Sequence, residues 1–221
     1  VDTVCEFIAK NNGNITFLDQ HVASTKSIFF MRIEWELNGF MIPEEKIGEY
    51  FDVLIGHRYN MNWQLSFSKD VFRMALFVSK LPHCLFDLLS RWKSGEILVE
   101  IPLIISNHAD MEPVAKQFGV AFHHFSMSKD NKKEQEEAQL KLLQQHGIDF
   151  VVLARYMQIL SDEFVSHYPN RVINIYHSFL PAFPGAKPYH SAYERGVKVI
   201  GATSHYVTAE LDAGPIIAQD T

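Results

Sequence analysis

The first 67 residues alternate between helical and extended hydrophobic patterns. Apolar positions at helical spacing predict a first helix that stops at Gly13, and its apolar stripe comprises Val1, Val4, Phe7 and Ile8. The segments NITFLDQHV and SIFFMRIEWEL predict two strands, and MNWQLSFS predicts a third. Between them, a second helix is expected from Pro43, with an inward face of Ile47, Phe51, Leu54 and Ile55.

The order of these elements is helix, strand, strand, helix, strand. It lacks only an opening strand to form a βαββαβ sandwich of about 70 residues. We therefore expect residues 1–67 to form one small domain, of the βαββαβ kind, whose first strand is missing.

From residue 71 onwards, apolar strands alternate with amphipathic helices, after a short polar joint at residues 68–70. The predicted strands are VFRMALFVSK, LVEIPLIISN, AFHHF, FVVLAR, VINIY, VIGATSHYV and a returning strand after residue 212. The predicted helices are PHCLFDLLSRWKSG, DMEPVAKQFG and KKEQEEAQLKLLQQHG. This alternation predicts an α/β domain over residues 71–221, with a mostly parallel, doubly wound sheet that binds ligands outside the carboxyl ends of its strands.

Composition and charge disfavour several classes of function. The 221 residues are 47% hydrophobic, enough for two modest cores, and their net charge is -6. The 20 Lys and Arg residues are scattered singly, so neither nucleic acid nor a membrane surface is expected as a partner. Cys5 and Cys84 have neither disulfide nor metal spacing, and a cytoplasmic location fits them.

Polar residues interrupt the strand VINIY at the ligand edge of the predicted sheet. Successive side chains of a strand face opposite sides, so Asn174 and Tyr176 share one face, and His177 lies on the other if the strand persists. An uncharged Asn suits a carbonyl whose oxygen becomes negative during attack. The alternative is that Asn174 forms a turn at the end of the strand.

Two further candidates follow along the chain. His205 lies on the next predicted strand and is either a site residue or a semi-buried His with ordinary partners. Asp212 precedes a Gly-Pro turn, where a solvated Asp is ordinary and a catalytic Asp is the alternative. The 11 histidines also suggest a metal hydrolase, but His123 and His124 face opposite ways on one strand, so no metal is expected.

The segments NIYHSFLPAFPGAKPYHSAYERG, GATSHYV and LDAGPII, in this order, resemble the formyltransferase family that handles 10-formyltetrahydrofolate. That family is marked by Asn-x-His, Ser-x-Leu-Pro, a strand His and Asp-x-Gly. The resemblance covers the whole chain, because VSKLPHCLFDLLSRW and ISNH are similar to the hydrolytic branch, which carries an amino-terminal ACT-type sandwich. It implies an ACT-like domain followed by a formyltransferase-type sheet.

The resemblance implies hydrolysis of 10-formyltetrahydrofolate to formate and tetrahydrofolate, which supplies formate for purine synthesis and balances the one-carbon folate pool. The family's Asn falls on Asn174, its strand His on His205 and its essential acid on Asp212. Asn174 would stabilise the oxyanion, and Asp212 would take and return protons. The residues expected to contact folate are Met157, Gln158, Ile159, Leu160, Val207, Ala209, Leu211 and Gly214. No metal, nucleotide or other cofactor is implied, because the folate is the substrate.

One position departs from the family pattern. Tyr176 stands where the family has its catalytic His, and His177 follows it. A Tyr hydroxyl donates a hydrogen bond but carries no positive charge near neutral pH. Strand alternation puts Tyr176, not His177, beside Asn174, so the adjacent His177 does not simply replace the family His. Since loss of one oxyanion donor lowers rates by roughly 10² to 10³, we expect a slow or differently tuned enzyme rather than an inactive one.

Three alternative functions remain open. A glycinamide ribonucleotide transformylase would carry a Gly-rich first βα turn for the substrate phosphate, whereas VSKLPHCLFD contains no glycine. A methionyl-tRNA formyltransferase would present a basic face to tRNA, whereas this chain is acidic. The third alternative is a folate-binding or amino-acid-sensing regulator that has lost catalysis through Tyr176.

The resemblance also bears on assembly. ACT-type domains often pair between subunits and bind amino acids, which implies a homo-oligomer through residues 1–67 and leaves room for an amino-acid effector. Relative to the family both ends look shortened, because the opening strand is missing and the chain stops one strand after Asp212.

Overall fold

Residues 1–68 and 69–221 form two units in the computed structural model, which describes residues 1–183, 185 and 187–221. Two residues of the predicted site segment, Pro184 and Ala186, therefore lie outside the described part. No helix within the described ranges has the length and apolar character needed to cross a membrane.

The first unit, described in full over residues 1–68, combines helices with a two-stranded antiparallel sheet. Its elements are α1 (Asp2–Lys10), β1 (Asn14–Ala23), β2 (Ile28–Glu36) and α2 (Glu44–Phe51), and α2 continues into a π-helical turn, Asp52–Gly56. Its buried core comprises Val4, Phe7, Ile8, Ile42, Ile47 and Ile55. The two helices and the first two strands predicted from the sequence are confirmed.

Two residues of the predicted apolar faces point to solvent instead. Val1 is 49% exposed because it precedes α1 at the N-cap position, where helical spacing does not yet apply. Leu54 is 52% exposed, whereas Ile55 is buried. The π-helical turn holds more residues per turn than an α-helix, so positions after Phe51 rotate away from the helical stripe. The predictions for Val1 and Leu54 are wrong for these reasons.

The predicted third strand, MNWQLSFS, is not a strand in the structure, since residues 61–67 belong to no helix or sheet. Their side chains nevertheless alternate between partly buried and exposed, as a strand's side chains do. In a βαββαβ sandwich the last strand pairs with the first, and residues 1–68 contain no strand before α1. The strand prediction is wrong because this segment has no neighbouring strand with which to form a ladder.

The second unit is built on a seven-stranded sheet within its described residues. Its strands are β3 (Phe72–Val78), β4 (Val99–Ser106), β5 (Ala121–His124), β6 (Phe150–Ala154), β7 (Val172–Tyr176), β8 (Ala202–Tyr206) and β9 (Ile216–Asp220). Its helices are α3 (His83–Lys93), α4 (Glu112–Phe118, after a 3-10 turn at Ala109–Met111), α5 (Lys132–Gln145), α6 (Asp162–His167) and α7 (Pro188–Glu194).

The sheet has the order β5-β4-β3-β6-β7-β8-β9. Its first five strands are parallel, β8 runs antiparallel to them, and β9 is antiparallel to β8. Successive residues of β3 enter different cores. Phe77 packs in a cluster that includes residues of α5 and α6, whereas Leu76 packs in a cluster that includes residues of α3 and α4. The predicted α/β fold, with a mostly parallel sheet covered by helices on both faces, is confirmed.

The direction of winding reverses at β3. The chain places β4 and β5 on one side of β3, and then returns to place β6 and β7 on the other side. In open α/β sheets a crevice forms outside the carboxyl ends of the two strands at such a reversal. A ligand site is therefore expected where β3 and β6 end.

Candidate active site

Asn174 and His205 lie opposite each other on the antiparallel pair β7 and β8. Asn174 Nδ2 is 3.1 Å from His205 Nε2, and His205 is only 2% exposed. His205 Nδ1 lies 3.0 Å from the carbonyl oxygen of Tyr206, which can only accept, so Nδ1 carries the proton. Nε2 then accepts one amide hydrogen of Asn174, and the second amide hydrogen is left for another acceptor.

Tyr176 shares the Asn174 face of β7 but directs its hydroxyl into the following loop. The hydroxyl is 2.8 Å from the carbonyl oxygen of Phe183 and 2.6 Å from that of Gly185. Both acceptors are carbonyls, so the single hydroxyl proton is shared between them. Donation by Tyr176 to a substrate oxygen, as the sequence predicts, stays a prediction that requires the hydroxyl to leave this loop.

His177 follows the last residue of β7, so strand alternation no longer fixes its direction. Its ring centroid lies 5.3 Å from that of Tyr176 and 5.2 Å from that of Tyr189. Burial and, to a smaller extent, the positive charge of Arg155 lower the pKa of His177, while the negative charge of Asp212 opposes them. The structure thus brings His177 to the same end of β7 as Tyr176.

Asp212 lies in the loop between β8 and β9, in the left-handed conformation with φ 55°. Burial, followed by the Asp212 charge, raises the pKa of Tyr176, and the same carboxylate acts on His177. Asp212 therefore lies within electrostatic reach of the residues that end β7. A carboxylate here can accept and return a proton near the group held by Asn174.

The residues predicted to contact folate lie in two loops that follow β6 and β8. Met157, Ile159 and Leu211 are large apolar side chains that are 59%, 60% and 59% exposed. Gln158 and Val207 are partly exposed, Ala209 is exposed, and Leu160 and Gly214 are buried. The exposed residues can contact a planar apolar ligand. Leu160 and Gly214 are buried, so they can affect a ligand only through the conformation of the loops.

Gly214 illustrates how tightly the second loop is packed. A Cβ at this position would lie 1.7 Å from the carbonyl oxygen of Tyr206, the same oxygen that accepts from His205 Nδ1. Only glycine allows this approach.

The sequence did not identify Ser79, Asn107 or Arg155 as site residues. Ser79 Oγ is 2.6 Å from Asn107 Oδ1 and accepts from Met157 N at 2.9 Å, so the loop after β6 is anchored to the end of β3. Ser79 and Asn107 are 3% and 8% exposed. The available signal was that each of the three residues directly follows a buried parallel strand.

Metal binding has no support among the described residues, where no three His, Cys, Asp or Glu side chains are grouped as metal ligands. His123 instead lies beside His146, with ring centroids 6.3 Å apart. Burial and then the neighbouring His146 lower the pKa of His123.

Residues 72–221 match the formyl transferase family model. The whole chain is 52% identical, over 220 residues, to the formyltetrahydrofolate deformylase of Synechocystis, of which it covers 77%. The chain belongs to the formyltetrahydrofolate deformylase family. It is also 45% identical to the Bacillus subtilis deformylase, of which it covers 73%.

Solved structures agree with this family assignment. The formyltetrahydrofolate deformylase of Pseudomonas syringae matches with a TM-score of 0.94 and 42% identity, over 99% of this chain and 73% of that one. A glycinamide ribonucleotide transformylase from Symbiobacterium toebii matches with a TM-score of 0.65 and 34% identity, over 72% of this chain and 76% of that one. The deformylase family thus accounts for more of the chain than the transformylase does.

Proposed function

We propose that this chain hydrolyses 10-formyltetrahydrofolate to formate and tetrahydrofolate. The observation that carries the proposal is its 52% identity, across the whole chain, to a protein named for that activity. The site is consistent with it, because Asn174 on β7 supplies an amide donor and the charge of Asp212 acts on Tyr176 and His177 at the end of the same strand.

The roles of Asn174 and Asp212 in this reaction are part of the proposal. The free amide hydrogen of Asn174 binds the formyl oxygen, which becomes negative when water attacks the formyl carbon. Asp212 takes a proton from that water and returns it to N10 of the folate as the carbon-nitrogen bond breaks. The products are tetrahydrofolate, formate and one proton, and no metal, nucleotide or other cofactor is required.

Release of formate from 10-formyltetrahydrofolate, measured with and without glycinamide ribonucleotide, tests the proposal. We expect formate without the nucleotide, and its loss in Asp212→Asn but not in the control Asp19→Asn, which changes an exposed carboxylate on β1. Formyl transfer to the nucleotide in place of formate release would establish the transformylase alternative, which the Symbiobacterium match supports. Folate binding without any turnover would establish a regulator.

The amino-terminal unit is proposed to be an ACT-like domain that joins subunits into a homo-oligomer and has room for an amino-acid effector. The element order and the alternating burial of residues 61–67 support the domain type. Apolar side chains exposed on its sheet support pairing, and they are Phe17, Leu18, Val22, Ile28, Phe29 and Phe30. A monomeric mass in light scattering at micromolar concentration would exclude the oligomer.

The cellular setting is part of the proposal. Formate released in the cytoplasm would supply purine synthesis and balance the one-carbon folate pool. Growth of a strain that lacks this gene on medium with and without added formate or purine tests that assignment.

A further inference from the structure

Arg155 stands at the point where the winding of the sheet reverses. It directly follows β6, the strand that pairs with β3 at the reversal. A crevice is expected there, and Ser79 at the end of β3 accepts a hydrogen bond from Met157 N of the loop after β6. Arg155 therefore lies at the edge of the sheet where the crevice is expected.

The backbone of Arg155 adopts the left-handed conformation, with φ 61°, which a residue with a long side chain rarely does. Such conformations cluster at functional sites, where the surrounding structure maintains them. Its Nε is buried and has no hydrogen-bond partner among the described residues. A buried cationic donor without an acceptor is stabilised by an anionic ligand.

The position of Arg155 relative to β7 is set by strand pairing. Leu153 of β6 is paired with Asn174 of β7. Arg155 is two residues after Leu153, so it lies level with Tyr176, which is two residues after Asn174. Neighbouring strands are about 4.8 Å apart, well within the reach of an Arg side chain. The backbone of Arg155 is therefore close enough to the end of β7 for its side chain to reach a ligand bound beside Asn174.

Electrostatic effects agree with this placement. The Arg155 charge acts on His177 after β7, where it helps to lower the pKa, and it opposes the burial that raises the pKa of Cys84 in α3. His177 is consequently a neutral ring at neutral pH, whereas a guanidinium is always charged. Arg155 thus carries a permanent positive charge near the end of β7, which Tyr176 does not.

We propose that Arg155 is a further catalytic residue whose guanidinium binds the oxygens on the carbon of the formyl group, first in the tetrahedral intermediate and then in formate. This inference rests on the proposed hydrolysis. When water adds to the formyl carbon, the carbonyl electron pair moves to oxygen, and the Arg155 charge stabilises that oxyanion. When the bond to N10 breaks, N10 takes a proton, and both oxygens of formate suit a bidentate guanidinium.

The glutamate tail of the folate also carries carboxylates that a guanidinium can bind. The test must therefore separate binding of this tail from binding of the oxygens on the formyl carbon. Arg155→Gln and Arg155→Lys are compared with the unchanged chain on 10-formyltetrahydrofolate and on 10-formyltetrahydropteroate, which lacks the glutamate. For Arg155→Gln we expect kcat to fall roughly 10² to 10³-fold on both substrates, with KM changed less than about threefold, because the contact forms mainly in the transition state. Arg155→Lys should recover part of the loss.

Formate inhibition gives the second readout. The inhibition constant of formate should rise at least about tenfold in Arg155→Gln, because formate loses one charged hydrogen-bonded contact. A rise in KM at constant kcat that disappears with the glutamate-free substrate would overturn the proposal in favour of tail binding. Unchanged kcat and formate inhibition would also overturn it.

Two controls keep these outcomes interpretable. Circular dichroism and thermal unfolding check that each variant folds. If Arg155→Gln does not fold, Arg155→Lys is compared with the unchanged chain instead. A loss of kcat in Arg155→Lys is then expected, and an unchanged kcat would contradict the proposal. If the unchanged chain releases no formate, the hydrolysis proposal fails on its own. Binding of ¹³C-formate by NMR then tests Arg155 separately, and equal binding by the unchanged chain and its folded variant would overturn the inference.

Discussion

Asn174 Nδ2 and His205 Nε2 are 3.1 Å apart, on two adjacent antiparallel strands. His205 is buried, and its other nitrogen is bound to the Tyr206 carbonyl. The ring therefore acts as a fixed acceptor that orients the Asn174 amide, which leaves one amide hydrogen directed elsewhere.

Asn174→Ala should lower kcat/KM by roughly 10² to 10³-fold, because it removes an oxyanion donor. It should also lower the free energy of unfolding by about 1–3 kcal/mol, since buried His205 Nε2 loses its partner. Formate release and urea unfolding measure the two effects, with Asn38→Ala, an exposed turn residue, as the matched control. Unchanged turnover by the Asn174 variant would remove this residue from the mechanism.

Tyr176→His should raise turnover by up to roughly 10²-fold, because it restores a group that can carry positive charge near the oxyanion. Tyr176→Phe is the control, since it removes only the hydroxyl that bonds the Phe183 and Gly185 carbonyls. If that hydroxyl does not reach the substrate, the Phe variant loses stability while its kcat changes little. Equal rates for the unchanged chain and the His variant would contradict the proposed effect of Tyr176.

Ser79→Ala should raise KM for the folate roughly tenfold while changing kcat less, because Met157 N loses its acceptor and the loop that is predicted to contact folate loses its anchor. Ser90→Ala, at an exposed position of α3, serves as the control. Steady-state kinetics separate the two constants. A fall in kcat at constant KM would show that Ser79 acts on the chemical step instead.

The stability of the chain should fall below about pH 6.5, in part because of His123. Burial and the neighbouring His146 lower the pKa of His123 in the folded state, so the unfolded chain binds the proton more readily. Stability is therefore full above the unfolded pKa of about 6.5 and is lost as pH falls through the folded pKa. Urea unfolding of His123→Leu at pH 5 and pH 7.5 should show a smaller difference than in the unchanged chain, and an equal difference would argue against His123.

Gly214→Ala should both destabilise the chain and abolish most activity. The added Cβ would lie 1.7 Å from the Tyr206 carbonyl oxygen, so the loop that carries Asp212 must move. Gly95→Ala is the matched control, because its φ is 81° but no atom lies within 4 Å of the added Cβ. The control should cost only about 1–2 kcal/mol, from its left-handed backbone. A smaller loss in Gly214→Ala than in this control would refute the steric argument.

The periodicity of the sequence was sufficient to predict every strand of the second unit, because each buried strand is a short apolar run bounded by polar residues. The prediction from periodicity failed where the structure depends on helical pitch or on a neighbouring strand. The turn after α2 is π-helical, which exposes Leu54, and residues 61–67 have strand-like alternation without a strand beside them. Neither a change of helical pitch nor a missing pairing partner is visible in the spacing of apolar residues.

The candidate site, like the fold, was predicted only in part from the sequence. Asn174, His205 and Asp212 were identified through the family resemblance, and the structure places the first two in contact. Arg155 and Ser79 were not identified, because their placement depends on strand order and on a left-handed backbone at Arg155, neither of which one sequence displays.

The bond between Ser79 and Met157 joins residues 78 positions apart in the chain. Strands β3, β4 and β5 are neighbours in both sequence and space, so they can assemble early, whereas each residue of β6 pairs with a residue of β3 that lies 76 positions earlier, as Phe150 does with Met74. Contacts of such long sequence separation form late, because the entropy of closing the intervening chain opposes them. A folding intermediate that lacks β6 would therefore possess part of the sheet but not the ligand crevice expected where β3 and β6 end, and recovery of ligand binding would report the last step of refolding.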